Sequence, residues 1–295
     1  MLWIFLAFLA PVLFGLANIL DNYFVNRLFK NVTSLVFYAT LLNLLFLPFL
    51  FFIQTPHLPA WNLIPAFIAV ALVDILYLFP YYKALQHDDT STVSSLFSLG
   101  KVFVPLLAFL FVGEVLHPTQ YLGFFILILS SALITMEPGK LKFNRSFMYM
   151  ALSSLLIALE TVIYKYIFTN VNWITGFTWA LLFSFFLLLP LLMLKKTRAS
   201  IRAQAHVFRK TFHLFALEEL LTFGGFAAIT YAISVASVTI VNAIGSFQPF
   251  FVLLYALIFS RLFPTVFKEK IDRISLLKKM VFFALMISGV ILIFL

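Results

Sequence analysis

The sequence predicts an all-α membrane protein of ten transmembrane helices, built as two inverted five-helix repeats. Three observations lead there. Of 295 residues, 63% are hydrophobic and only 11% are charged, with a mean hydropathy of +1.08. A soluble domain is roughly 45–50% apolar and about 25% charged. The apolar residues run continuously, as in LLNLLFLPFLFF and LLFSFFLLLPLLML, and do not alternate as strands of a membrane barrel would. The pattern of runs then repeats half-way along the chain. The composition excludes a soluble enzyme, a disordered chain and a nucleic-acid module. The absence of cysteine removes disulfides, thiol nucleophiles and thiolate metal sites.

A helix crossing the ~30 Å hydrocarbon core needs about 20 mainly apolar residues. Ten segments qualify: 2–20, 35–53, 63–82, 93–112, 119–136, 147–167, 174–194, 214–235, 238–259 and 279–295. The first lacks a basic n-region and is too long for a signal peptide. Segments one and two align without a gap on six and seven, so that Asn18 falls on Glu160 and Leu47-Pro48 on Leu189-Pro190. Phe124, Phe125, Leu127 and Ser130 fall on Phe282, Phe283, Leu285 and Ser288. Leu116-His117-Pro118-Thr119 resembles Leu262-Phe263-Pro264-Thr265. The expected repeats are 1–145 and 146–295. Five spans per half force opposite orientations, the inverted arrangement common among secondary transporters.

The net charge of +9 reads as topology. Arg27, Lys30, Lys83, Lys140, Lys142, Arg145, Lys195, Lys196, Arg198, Arg202, Arg209, Lys210, Arg261, Lys268, Lys270, Arg273, Lys278 and Lys279, 18 of the 20 basic residues, lie in or beside the odd-numbered loops. The positive-inside rule puts those loops in the cytoplasm and both termini outside. Ile201, Ala205, Phe208 and Phe212 recur at helical spacing among basic residues, which predicts a short helix lying on an anionic leaflet.

Charges inside apolar runs are expensive, roughly 2.5–3.5 kcal/mol at the bilayer centre on insertion scales, and therefore informative. They are Asp74, Lys101, Glu160, Glu218 and Glu219, with Asp21, Glu114 and Lys165 nearer helix ends. Asp74 reads equally as a proton or cation site and as an ion pair with Lys101. Glu160, with Tyr164 one turn on, matches Asn18 of the first half and points to a polar cavity between the repeats. Glu218 and Glu219 point about 100° apart, so at most one is expected to face the cavity. Lys165 is expected to reach toward the interface. Gly100-Lys101 and Gly245-Ser246-Phe247-Gln248-Pro249 occupy corresponding segments and predict interrupted helices around a site. Asn242, Ser246 and Gln248 are candidate donors there. Ser94, Ser95 and Ser98 read first as close packing. Of Tyr77, Tyr81 and Tyr82, read first as interfacial aromatics, Tyr77 is the best cavity candidate, one turn from Asp74. No HExxH, Walker loop or GxSxG is present, so no metal, cofactor or enzymatic activity is expected.

Several motifs resemble the drug/metabolite transporter superfamily, EamA type. Tyr82-Lys83-Ala84-Leu85 resembles its Y-x-A-L ending of helix 3, and Tyr231-Ala232-Ile233 the matching end of helix 8. Phe111-Val112-Gly113-Glu114-Val115-Leu116, with Gln120 and Gly123, resembles its turn between helices 4 and 5. Lys165 fits a lysine common after the first helix of a half. Phe259-Ser260-Arg261 departs from the Gly-Glu expected in the second half, and Lys101 sits where proline is frequent. The resemblance implies alternating access through a cavity lined by helices 1, 3, 4, 6, 8 and 9, with 5 and 10 peripheral. The expected activity is secondary transport of a small polar metabolite, amino-acid-like zwitterion or organic cation across the cytoplasmic (plasma or inner) membrane, by proton exchange. Its site residues would be Asp74, Lys101, Glu160, Glu218, Glu219, Asn18, Tyr164, Asn242, Gln248 and Tyr77. The expected partners are a small-molecule substrate, membrane lipids and protons, without nucleic acid; a homodimer is open. A lipid-carrier flippase on the same fold, a non-transporting membrane subunit and a membrane-embedded enzyme are the alternatives.

Overall fold

A computed structural model describes residues 1–88, 90–135, 145–262 and 273–295. Lys140, Lys142, Lys268, Lys270 and Phe263-Pro264-Thr265 lie outside the described residues. The regular structure of the described residues is all helical: α1 (Leu2–Tyr23), α2 (Val32–Phe51), α3 (Ile64–Leu76), α4 (Leu78–Leu85), α5 (Thr90–Gly100), α6 (Phe103–Val112), α7 (Pro118–Thr135), α8 (Arg145–Asn170), α9 (Trp173–Leu188), α10 (Lys195–Val235), α11 (Val238–Gly245), α12 (Gln248–Leu262) and α13 (Arg273–Phe294). Helices satisfy every backbone group within the segment, as hydrocarbon demands. Seven helices or helix pairs are long and apolar enough to cross a membrane; three more, beginning at Pro118, Trp173 and Met280, are apolar but shorter. Pairing α3 with α4, α5 with α6 and α11 with α12 gives ten crossing units. A turn of 3₁₀ helix, Leu189–Met193, extends α9.

Local chemistry sets the ends. Asn31 accepts from the Thr33 amide at 2.8 Å and Asn172 from the Thr175 amide at 2.8 Å, capping α2 and α9. Gly113, at φ +67°, closes α6 in the left-handed conformation that glycine adopts without a Cβ penalty.

Cross-links sort the loops to two ends. At one end the His57 amide donates to Thr175 Oγ1 (3.1 Å), and Trp179 Nε1 donates to the His57 carbonyl (2.8 Å). At the other, Asn26 Nδ2 donates to the Leu85 carbonyl (2.9 Å), Tyr38 donates to the Ile201 carbonyl (2.9 Å), and the Lys83 ammonium sits over the Tyr149 ring. Among the described residues, the second and sixth loops thus share one end, and the first and third loops share the other with the starts of α8 and α10, as alternating spans require.

Two apolar clusters pack these ends. One joins Phe67, Phe177, Ile233 and Val238; the other joins Phe24, Phe29, Leu85 and Phe215. A third holds α7 and α13 to α12. The α7–α13 contact is close: a Cβ on Gly123 would sit 2.5 Å from the Gly289 carbonyl oxygen. Large apolar side chains such as Phe109, Leu110, Phe111, Leu122 and Ile291 are exposed, as a lipid-facing surface should be.

One expectation fails here. The basic stretch 198–212 is not a separate helix on the membrane surface but the first part of α10, 41 residues long. At 1.5 Å per residue that is about 60 Å, twice the hydrocarbon thickness. No glycine or proline interrupts 195–222. The apolar stripe finds protein instead of lipid: Tyr38 of α2 stacks on Phe208 at 4.2 Å and donates to the Ile201 carbonyl. Arg198, Arg202, Arg209 and Lys210 stay exposed.

Candidate functional site

Between the two end clusters lies a cavity of about 170 Å³. A buried water needs about 10–15 Å³ of such space, so there is room for a small metabolite. All ten residues singled out from the sequence line it: Asn18, Asp74, Tyr77, Lys101, Glu160, Tyr164, Glu218, Glu219, Asn242 and Gln248.

The walls follow helical spacing. Pro11, Phe14, Asn18 and Asp21 form one face of α1. Ile157, Glu160, Thr161 and Tyr164 do the same on α8. On α10, Glu218, Thr222, Phe226, Ile229 and Ile233 follow the cavity for four turns, about 22 Å. Among the described residues α7 and α13 contribute none to the lining, so spans five and ten are peripheral, as the resemblance implies. Spans two and seven are an addition. α2 supplies Thr40 and Asn43, and α9 supplies Leu181 and Ser184.

Both predicted interruptions are present. α5 ends at Gly100 and α6 starts at Phe103; α11 ends at Gly245 and α12 starts at Gln248. The two breaks touch, since a Cβ on Gly245 would lie 3.0 Å from Lys101 Nζ. The Ser131 hydroxyl of α7 bonds the Ser98 hydroxyl (3.0 Å) and the Ser246 carbonyl, tying one break to the other. Ser246 Oγ turns back to the Asn242 carbonyl (3.1 Å). Neither Ser246 nor Ser94, Ser95 and Ser98 line the cavity.

Two details differ from the sequence reading. Lys101 and Asp74 do not pair: among the described residues no salt bridge joins them, and the neighbour of Asp74 is Ser184. Glu218 and Glu219 both face the cavity, because it wraps around α10; Thr222 donates to Glu218 Oε1 at 2.8 Å. Lys165, expected to reach toward the interface, donates to the Ile233 (3.0 Å) and Ala236 (2.7 Å) carbonyls at the C-terminus of α10. Glu114 accepts from Ser237 Oγ (2.8 Å), the Val238 amide (2.9 Å) and the Thr239 amide (3.0 Å) at the N-terminus of α11. Each charge complements the helix end it touches.

The sequence reading also missed Asp21 as a lining group. Asp21 is buried, and its carboxylate accepts from Tyr81 (2.9 Å) and Tyr82 (3.2 Å); Tyr81 Oη also lies 3.0 Å from Asn18 Oδ1. Tyr81 and Tyr82 therefore belong to the cavity and not to the interface. The available signal was the spacing of Pro11, Phe14, Asn18 and Asp21 at i, i+3, i+7 and i+10.

The cavity so gathers five carboxyl groups (Asp21, Asp74, Glu160, Glu218 and Glu219) and one ammonium, Lys101. Glu160 Oε1 is buried without a hydrogen-bond partner. Such an excess of negative charge in a low-dielectric site is offset when cations or protons occupy it.

Many apolar helices around a polar cavity define an integral, multi-pass membrane protein with a solute-sized site. Residues 1–136 match the model of the EamA-like transporter family, which belongs to the drug/metabolite transporter superfamily. The first half of the chain thus carries that family's sequence pattern. One solved structure, described only as the crystal structure of a protein, is similar over 98% of this chain and 94% of its own, with a TM-score of 0.64 at 13% identity. That likeness concerns the fold alone. No curated protein sequence matches.

Proposed function

We propose that this protein is a secondary active transporter that carries a small polar metabolite, zwitterion or organic cation across the cytoplasmic membrane in exchange for protons. It would work by alternating access between two inverted halves, 1–145 and 146–295. The observation that carries this reading is that Asp21, Asp74, Glu160, Glu218 and Glu219 all line one cavity. Glu160, with Glu218 and Glu219, binds the cationic group or the proton. Asp74 carries the proton. Asn18, Asn242, Gln248, Tyr77 and Tyr164 orient the substrate, and Lys101 meets an anionic group where the substrate has one. The touching breaks at Lys101 and Gly245 support a site at the junction of the halves. The charge bias supports external termini.

The test is uptake into proteoliposomes under an imposed pH gradient. Glu160→Gln and Asp74→Asn should each abolish gradient-driven flux. Wild-type rates with intact proton coupling in both variants would sink the proposed site.

A further inference from the structure

The five carboxyls are spread out in a way that constrains what they bind. No three acid or histidine side chains among the described residues converge so as to hold a metal ion. The acids instead form two groups. Asp21, Glu218 and Glu219 are mutual electrostatic neighbours, with Glu219 also feeling Asp74 across the cavity, and are edged by the hydroxyls of Tyr81 and Tyr82. Asp74 and Glu160 form the second pair, edged by Tyr77 and Tyr164. Asp74 and Tyr81, whose hydroxyl bonds Asp21, are seven residues apart along α3 and α4, so their backbone positions stand roughly 10 Å apart along the helix axis. Phe14, Leu78 and Phe97 supply apolar wall to the same cavity. Lys101 offers neither group a salt bridge among the described residues. Glu160 is only 3% exposed, and its Oε1 has no partner.

Two separated anionic groups with apolar wall in the same cavity match a ligand with two ammonium groups on a hydrocarbon chain. A single ammonium would reach only one group and leave the other uncompensated, which is costly in a buried site. Resting on the transporter reading above, we propose that the cavity selects an aliphatic diamine or short polyamine. One ammonium sits against Asp74 and Glu160, the other against Asp21, Glu218 and Glu219, with the methylene chain along the aromatic wall.

The test compares ligands that differ by one charge, on the wild-type protein. Purified protein in proteoliposomes is assayed for uptake of labelled putrescine, with cadaverine, spermidine, butylamine, choline and neutral amino acids as competitors. Putrescine or spermidine should compete at concentrations at least tenfold below butylamine. In Asp21→Asn and Glu160→Gln, checked for wild-type melting temperature and compared by the ligand-induced rise in that temperature, a readout independent of flux, the gap between diamine and butylamine should shrink to within about twofold. Equal competition by butylamine and the diamines, or Glu160-dependent flux of a monoamine or amino acid without diamine preference, overturns the diamine assignment and leaves the transporter reading standing. Flux of every probe no greater than in empty liposomes overturns both.

Discussion

Tyr81 has one hydroxyl proton but lies within hydrogen-bond distance of both Asn18 Oδ1 and Asp21 Oδ2. The amide of Asn18 can be turned, since its oxygen and nitrogen are interchangeable in placement. With Nδ2 toward the ring, Asn18 donates to Tyr81 and Tyr81 donates to Asp21, which also accepts from Tyr82. Asp21 is then well partnered, whereas Glu160 has an oxygen with no partner at all. The two acids should therefore respond differently to neutralisation. Glu160→Gln removes a charge without breaking a bond to Oε1. It should leave the melting temperature unchanged or raise it, while transport falls at least tenfold. Tyr82→Phe removes one of the two hydroxyls that hold Asp21, and should lower stability by about 1–2 kcal/mol with a smaller effect on flux. Thermal melts read beside proteoliposome uptake check both. A Glu160→Gln protein that melts much earlier than wild type would mark Glu160 as structural.

At the scale of elements, the link between α10 and α11 is the most heavily fixed turn. Lys165 of α8 bonds the last carbonyls of α10, and Glu114, just beyond α6, bonds the first amides of α11. Charge at the correct helix end adds to each bond. Glu114→Gln and Lys165→Met should each lower stability by about 1–2 kcal/mol, with the cavity side chains untouched. The α7–α13 contact depends on size instead. Leucine at Gly123 would place atoms inside the Gly289 backbone, so Gly123→Leu should cut the yield of folded protein, whereas substitution of exposed Leu122 should not. Much at this scale was legible in the sequence, since the ten runs and the two glycine breaks follow from composition and local backbone chemistry. The unbroken α10 was not. An amphipathic stripe has the same 3.6-residue period whether it faces lipid headgroups or Tyr38 of α2. Thr40, Asn43 and Ser184 were hidden because one small polar residue in a leucine-rich run carries no directional signal. Asp21 was hidden because distance from a helix end does not give depth once α4 covers that end.

For the whole molecule, the decisive quantity is which end faces the cytoplasm. The cross-links fix which loops share an end, and the basic residues then assign a side. Arg27, Lys30, Lys83, Lys195, Lys196 and Arg198, all exposed, share the odd-loop end. The even-loop end has Lys165, which is occupied by the carbonyls of α10. Translocation retains basic loops on the cytoplasmic side, so both termini should be external. The chain contains no cysteine, so single cysteines can be introduced without first removing others. Thr169 and Lys196 are both exposed and lie at opposite ends. In intact cells a membrane-impermeant maleimide should label Thr169→Cys, and should reach Lys196→Cys only after permeabilisation. The reverse pattern would place the termini inside. The carbonyl-capping role of Lys165 would stand, because it depends on the fold alone. The 60 Å helix α10 would then carry its basic, exposed first turns outward, and the charge bias would need a cause other than insertion.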